Sequence, residues 1–243
     1  MGSCKSFDCD KPEALAVIPA RGGSKGVARK CGRLVGGIPL LARTVNAAKA
    51  AKTVSRVIVS TDDPDFAAMA KACGADVPFL RPAGLAGDAS PVIDAVAHLL
   101  DKLKADEGYE PEYLVLLQPT APFTLPEDID GAFKALLSAG ADAVVSLCQS
   151  EVKPDWLRRV GSDGFISPLL KLDAPQHAPR QSMPKTLRLN GAVYWVRTAV
   201  LLAGRSFLPP RCAPYEMPVE RSIDIDSELD IKIANLLAQE LQG

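Results

Sequence analysis

The sequence predicts an α/β domain with a largely parallel central sheet, and three observations carry that prediction. Short, fully apolar runs alternate with longer segments of helical periodicity. The runs lack the polar alternation of a half-exposed strand, which suits burial on both faces of a parallel sheet. The 243 residues are 47% hydrophobic, enough to bury a sizeable core and too apolar for global disorder. Residues 13–243 read as one domain, preceded by a disordered leader over 1–12.

Ala14–Ile18 is the first strand, ending at Pro19 and a glycine-rich stretch. Pro39 to about Lys52 is a helix with Leu40, Leu41, Val45 and Ala48 on one side, and Arg56–Ser60 is the second strand. The next helix has Asp63 to cap it, Pro64 at its first position, and Gly74 where a left-handed residue ends it. Another helix opens at Ser90-Pro91, with Asp94 in its first turn, and runs through Val96, Leu99, Leu100 and Leu103. Tyr113–Leu117 is a third buried strand. Thr124 to Glu127 has the T-x-x-E capping form and opens a helix ending near Gly140. Asp142–Leu147 is a fourth strand. From about 150 to 184 the periodicity weakens and prolines multiply, which marks an arm leaving the core. Gly191–Val196 returns as a strand, and a last helix after Ser227 carries Ile231, Ala234, Leu237 and Leu241 on one face.

Composition narrows the function. Twenty-eight Lys and Arg balance 29 Asp and Glu, for a net charge of -1, which argues against wholesale binding of nucleic acid or membrane surface. No apolar run approaches the ~20 residues of a membrane helix. The six cysteines form no C-x-x-C pair and no secretory segment opens the chain, so reduced thiols in the cytoplasm are expected.

Three segments carry candidate chemistry. Pro19–Gly26 holds Arg21, Gly22, Gly23, Ser24 and Lys25, with Arg29 and Lys30 close behind. Exposed backbone N–H groups in such a loop form an anion nest, and the loop leaving the carboxyl end of a strand is the usual ligand position in an α/β sheet. It is neither a Walker A loop nor a G-x-G-x-x-G turn, and a solvated basic turn is the alternative. Ser222–Ser227 contains Asp224 and Asp226. In a strand these share one face while Ile223 and Ile225 take the other. Close carboxylates need a proton or a cation between them, and Mg²⁺ takes one or two carboxylates plus phosphate and water. The alternative has Asp226 orienting a helix entry and Asp224 solvated. Arg180-Gln181 and Arg188–Ala192 offer two guanidinium forks and an amide, suited to an acidic, hydroxyl-rich ligand or to salt bridges. A basic loop with a distant aspartate pair is what metal-assisted attack on a nucleoside triphosphate requires.

From about Ala16 to Leu237 the chain resembles the acylneuraminate cytidylyltransferases, the CMP-sialic acid synthetase family. The resemblance is carried by Ile18–Gly26, Val59–Asp62, Leu80–Ala83, Leu117–Thr120, Pro179–Gln181, Arg188–Ala192 and Ser222–Asp226. It implies a Rossmann-like nucleotidyltransferase fold with a small dimerisation arm, and a homodimer. It also implies transfer of CMP from CTP to a nine-carbon 2-keto sugar acid, a nonulosonic acid, with release of pyrophosphate. Arg21, Ser24, Lys25 and Lys30 would hold the CTP phosphates, with Gly22, Gly23 and Cys31 beside them, and Arg81 would read cytosine. Gln118, Arg180, Arg188 and Asn190 would hold the sugar acid, with Phe207 and Leu208 against its acyl group. Asp224 and Asp226 would hold Mg²⁺, completing a catalytic set with Arg21 and Lys25.

The chain departs from the family pattern at specific places. Cys31 stands where the family has Asn, Val92 where it has Ser or Thr, and Thr124 where it has Arg. Val152 and Lys153 replace its histidines. The first two fall on the nucleotide side and Thr124 near the sugar end. Two alternatives follow: a related nucleotidyltransferase with another base or sugar acid, or a catalytically weak nucleotide-binding paralogue.

Overall fold

The computed structural model describes residues 13–23, 26–87, 90–170 and 185–240. The expected leader therefore lies outside the described residues. In chain order the elements are β1 (Ala14–Pro19), β2 (Leu34–Val35), β3 (Ile38–Pro39), α1 (Leu40–Ala50), β4 (Arg56–Ser60), α2 (Pro64–Ala72), α3 (Val92–Glu107) and β5 (Tyr113–Leu117). There follow α4 (Pro126–Ser138), β6 (Ala143–Gln149), β7 (Arg158–Val160), β8 (Ile166–Pro168), β9 (Leu187–Arg197), α5 (Thr198–Gly204), β10 (Cys212–Glu216) and α6 (Glu228–Glu240).

A six-stranded sheet, ordered β10-β6-β9-β5-β1-β4, forms the centre. β1 pairs in parallel with β4 and β5, and β6 with β10, while β9 runs antiparallel to both β5 and β6. The apolar runs are buried on both faces as expected. Ala14, Ala16 and Ile18 of β1 pack with α1, α2 and α4, whereas Leu15 and Val17 face α3 and α5. The chain steps from β1 to β4 on one side and then to β5 on the other. That reversal opens a crevice at the carboxyl ends of β1 and β5, the usual ligand position of such sheets.

Local chemistry explains the element ends. Asp63 Oδ1 accepts from the N–H groups of Asp65 (2.9 Å) and Phe66 (3.2 Å), capping α2, and Gly74 has φ +80°. At α4 the capping differs from the expected T-x-x-E form. Thr124 donates to the Ala121 carbonyl (3.0 Å), and the buried Asp128 accepts from Leu125 N (3.0 Å) instead of Glu127. Asp128 also meets Arg221 (2.6 Å), which keeps its carboxylate partnered inside the protein. At α3 Pro91 precedes the first helical residue and no side chain caps the helix, since Asp94 pairs with Arg205.

Outside the arm, four elements escaped the sequence reading: β2 and β3, which form a small hairpin, α5, and the edge strand β10, whose Pro214 disguises it. Within the expected arm, β7 and β8 form a separate antiparallel hairpin. Leu241, expected on the face of the last helix, lies outside the described residues.

Candidate active site

Four chain segments converge on the crevice, one of them the stretch from Arg81 to Val92. The loop after β1 is held against the β4 end: Ala20 N donates to Ser60 O (3.0 Å) and Gly22 N to Asp62 Oδ1 (3.0 Å). A Cβ on Gly22 would lie 2.8 Å from Asp63 Oδ2, so a glycine lets the loop pass the α2 cap. The second segment, Gln118–Thr120, leaves β5. The third is Ser222–Ser227, placed by a hydrogen bond from Ile225 N to Thr120 O (2.9 Å).

That third segment is not a strand, which corrects the expected geometry: it is irregular and pairs with no ladder. The alternation still holds, because Ile225 is fully buried and Ile223 packs beside it, while Asp224 and Asp226 turn to the crevice.

The resulting cavity measures about 360 Å³ and brings together Arg21, Lys30, Cys31, Arg81, Val92, Gln118, Asp224 and Asp226. A larger cavity of about 680 Å³ lies behind Pro122–Pro126. Its arginines are engaged within the protein, Arg43 with the Val35 carbonyl and Arg221 with Asp128. The smaller cavity is therefore the candidate site.

Its cationic wall is positioned by backbone contacts. Arg21 Nη1 donates to the Gly87 carbonyl (3.1 Å). Arg81 is buried, and its guanidinium donates to the Ser60 hydroxyl (3.0 Å) and carbonyl (2.6 Å). Burial lowers its pKa from the ordinary arginine value, and the Asp62 carboxylate opposes that shift. Cys31 sits among these cations, yet burial outweighs Lys30, Arg81 and Arg21 and pushes the thiol up to about 11. It is a neutral thiol at physiological pH.

At the opposite end the Asp224 carboxyl is raised above the usual aspartate range. Burial is the largest cause, and Asp226 adds to it. Lys30, Arg188 and the Thr120 side chain favour the charged form. Thr120 Oγ1 is close enough to act on that carboxylate but does not meet hydrogen-bond geometry. Gly191 stands over Asp224: a Cβ there would lie 3.3 Å from Asp224 Oδ2. Lys30 Nζ lies 2.9 Å from Asp226 Oδ1. Among the described residues no cluster of three or more His, Cys, Asp and Glu forms, and the carboxylates lining the cavity are Asp224 and Asp226. That donor set fits Mg²⁺, which completes its shell with phosphate and water.

The expected sugar-acid residues divide. Gln118 lines the cavity. Arg188 donates to the Ser222 carbonyl (3.1 Å) and acts on Asp224 through its charge. Asn190 differs from expectation. It is fully buried, accepting from the Ser146 hydroxyl (2.6 Å) and donating to Ser222 Oγ (2.9 Å). That network supports the β6–β9 irregularity, and its amide is spent on the protein. Phe207 packs edge-on against Tyr194, with ring centroids 6.2 Å apart, and Leu208 borders a separate surface depression. Neither lines the candidate cavity. Ser24, Lys25 and Arg180 lie outside the described residues, and Gly23 is exposed on the loop. Leu85 and Ser90, also in the lining, were missed. Leu85 carries no motif and Ser90 reads only as a helix opening, so folding alone brings them to the crevice.

A sequence profile described as cytidylyltransferase matches residues 15–155. The CMP-N,N'-diacetyllegionaminic acid synthase of Legionella pneumophila is 36% identical over 227 residues, 93% of this chain and 96% of that protein. The N-acylneuraminate cytidylyltransferase of Escherichia coli is 32% identical over 94% of this chain, which spans 53% of that longer protein. The solved CMP:2-keto-3-deoxy-manno-octonic acid synthetase complexed with CTP shares the fold. Its TM-score is 0.68 at 18% identity, over 94% of this chain and 99% of that one. The chain belongs to the cytidylyltransferases, within the CMP-sialic acid synthetase family.

Proposed function

We propose that this protein transfers CMP from CTP to the anomeric hydroxyl of a nonulosonic acid, releasing pyrophosphate. The observation that carries this reading is the single cavity in which Arg21, Lys30 and Arg81 face Asp224 and Asp226. The hydroxyl oxygen forms the new bond to the α-phosphorus, the bond to the β-phosphate bridging oxygen breaks, and the hydroxyl proton passes to solvent.

The protein acts by positioning and electrostatics. Arg21 and Lys30, with Ser24 and Lys25 from the same loop, neutralise the polyphosphate and its leaving group, and the Gly22 and Gly23 turn lets the backbone approach it. Arg81, rigid on Ser60, meets the base. Gln118, Arg188 and Arg180 orient the sugar acid. Asp224 and Asp226 would hold Mg²⁺, which would neutralise the charge that develops on the phosphates. The protein works in the cytoplasm, in keeping with free thiols at Cys31, Cys73, Cys148 and Cys212. Among the described residues no helix is long and apolar enough to cross a membrane.

We also propose a homodimer built through the β7–β8 hairpin. Trp156 just before it and Val160, Phe165 and Ile166 within it are 63–74% exposed, a density of bare apolar side chains that marks an interaction surface.

The test is pyrophosphate release from CTP and Mg²⁺ with a panel of sialic, legionaminic, pseudaminic and Kdo-type acids. Turnover is expected with at least one, falling ~100-fold or more in Asp226→Asn, the scale of losing a preorganised charge contact. Folded protein inactive with every acid would reject the reading. A second reading, another base, rests on Cys31 and Val92, which both line the cavity. Thermal-shift titration with CTP, UTP, GTP and ATP separates the two, since ligand at 100 times its Kd adds about 2.7 kcal/mol.

A further inference from the structure

The ammonium assigned to the phosphates and the carboxylate assigned to the cation are bonded to each other. Lys30 Nζ and Asp226 Oδ1 are 2.9 Å apart, with side chains 14% and 79% exposed. The backbone that carries Asp226 is anchored. Asp230 Oδ2 accepts from Asp226 N (3.0 Å), Ser227 N (2.7 Å) and Ser227 Oγ (2.8 Å), pinning the residue that carries the carboxylate. Gly26 approaches so closely that a Cβ would lie 2.3 Å from the Asp226 carbonyl oxygen. Beyond Lys30, Arg33 forms a two-pronged pair with Glu228 at the start of α6 (2.5 and 2.8 Å). The flexible parts of this contact are the four-carbon Lys30 stem and the exposed Asp226 side chain.

We propose that Lys30 and Asp226 form an exchangeable lock that couples cation binding to nucleotide binding. This inference rests on the proposed function. One carboxylate oxygen serves either the Lys30 ammonium or a divalent cation. Taking Asp226 over to the cation releases Lys30 toward the triphosphate, and a triphosphate that draws Lys30 away bares Asp226 for the cation. Each ligand thus removes a cost that the other would otherwise meet, which is positive coupling by linkage.

The experiment measures CTP affinity by calorimetry in EDTA and in Mg²⁺, for wild type, Asp226→Asn, Lys30→Met and the double variant. Asp226→Asn is expected to bind CTP in EDTA about fivefold more tightly than wild type, the upper range for a pair exposed on one side. It is also expected to lose most of the Mg²⁺ enhancement. The EDTA gain disappears when Asp226→Asn is made in the Lys30→Met background, because it acts through the released ammonium. In a second arm, Mn²⁺ without nucleotide, followed by electron paramagnetic resonance, binds Lys30→Met about fivefold more tightly than wild type. The lock is overturned if Asp226→Asn binds CTP in EDTA no more tightly than wild type. It is equally overturned if the gain persists in the Lys30→Met background, which is simple relief of repulsion, or if Lys30→Met leaves Mn²⁺ affinity unchanged. Failure of folded wild type to bind CTP even with Mg²⁺ removes the proposed function itself, a result distinct from these three.

Discussion

Gly191 links chain geometry to the site. Its φ of +74° lies in the left-handed region, and its missing Cβ leaves room for the Asp224 carboxylate. Gly191→Ala is expected to cost about 1–2 kcal/mol from backbone conformation alone. Displacement of Asp224 adds a loss of Mg²⁺-dependent CTP affinity of about tenfold, roughly 1.4 kcal/mol. A melting curve and a CTP titration measure the two effects separately, and unchanged affinity would break the link to Asp224. The legibility of single residues divides along similar lines. Asp224 and Asp226 could be singled out from spacing, since side chains two apart in an extended segment share a side whether or not a ladder forms. Asn190 could not be read correctly. An amide beside a glycine suits a ligand or a buried network equally, and the partners that decide, Ser146 and Ser222, lie far away in sequence.

Among the elements, α4 shows how ends and packing join. Asp130 accepts from Lys52 N (3.0 Å), Thr53 N (2.9 Å) and Thr53 Oγ1 (2.7 Å), tying the helix to the turn before β4. Burial pulls its carboxyl upward, but the Thr53 and Lys52 hydrogen bonds prevail and the pKa is lowered. Its contribution is therefore present above the unfolded aspartate pKa of about 3.9 and is lost as pH falls through the lower folded value. Asp130→Ala is expected to destabilise the fold at neutral pH by about 1–2 kcal/mol, read from urea unfolding, with the difference from wild type shrinking at acid pH. A difference that does not change with pH would contradict this account. Strands β1, β4 and β5 and the α2 cap were legible because each is written in a local pattern. The α4 cap was misread by one residue, since Asp128 is selected by Arg221 from a distant segment. Strand β10 exists only because the β6 edge is there to receive it.

For the whole molecule, the exposed hairpin makes a prediction that no single domain core explains. Val160→Glu combined with Phe165→Glu is expected to convert a dimer to a monomer in light scattering, with the melting temperature of the core little changed, because neither side chain packs on it. A wild-type chain that scatters as a monomer at micromolar concentration would sink the dimer. The sequence by itself determined the α/β class, the parallel strand runs and the types of charge that meet at the site. Those depend on local periodicity and on motifs a few residues long. The tertiary structure decided the sheet order that opens the crevice beside β1. It also decided that Cys31, Arg81 and Val92 share one wall, that Asn190 is buried, and that Lys30 holds Asp226 across 196 positions of sequence. These outcomes turn on which distant groups become neighbours. That is settled by packing the whole core and satisfying every buried polar group at once, and no local pattern encodes it.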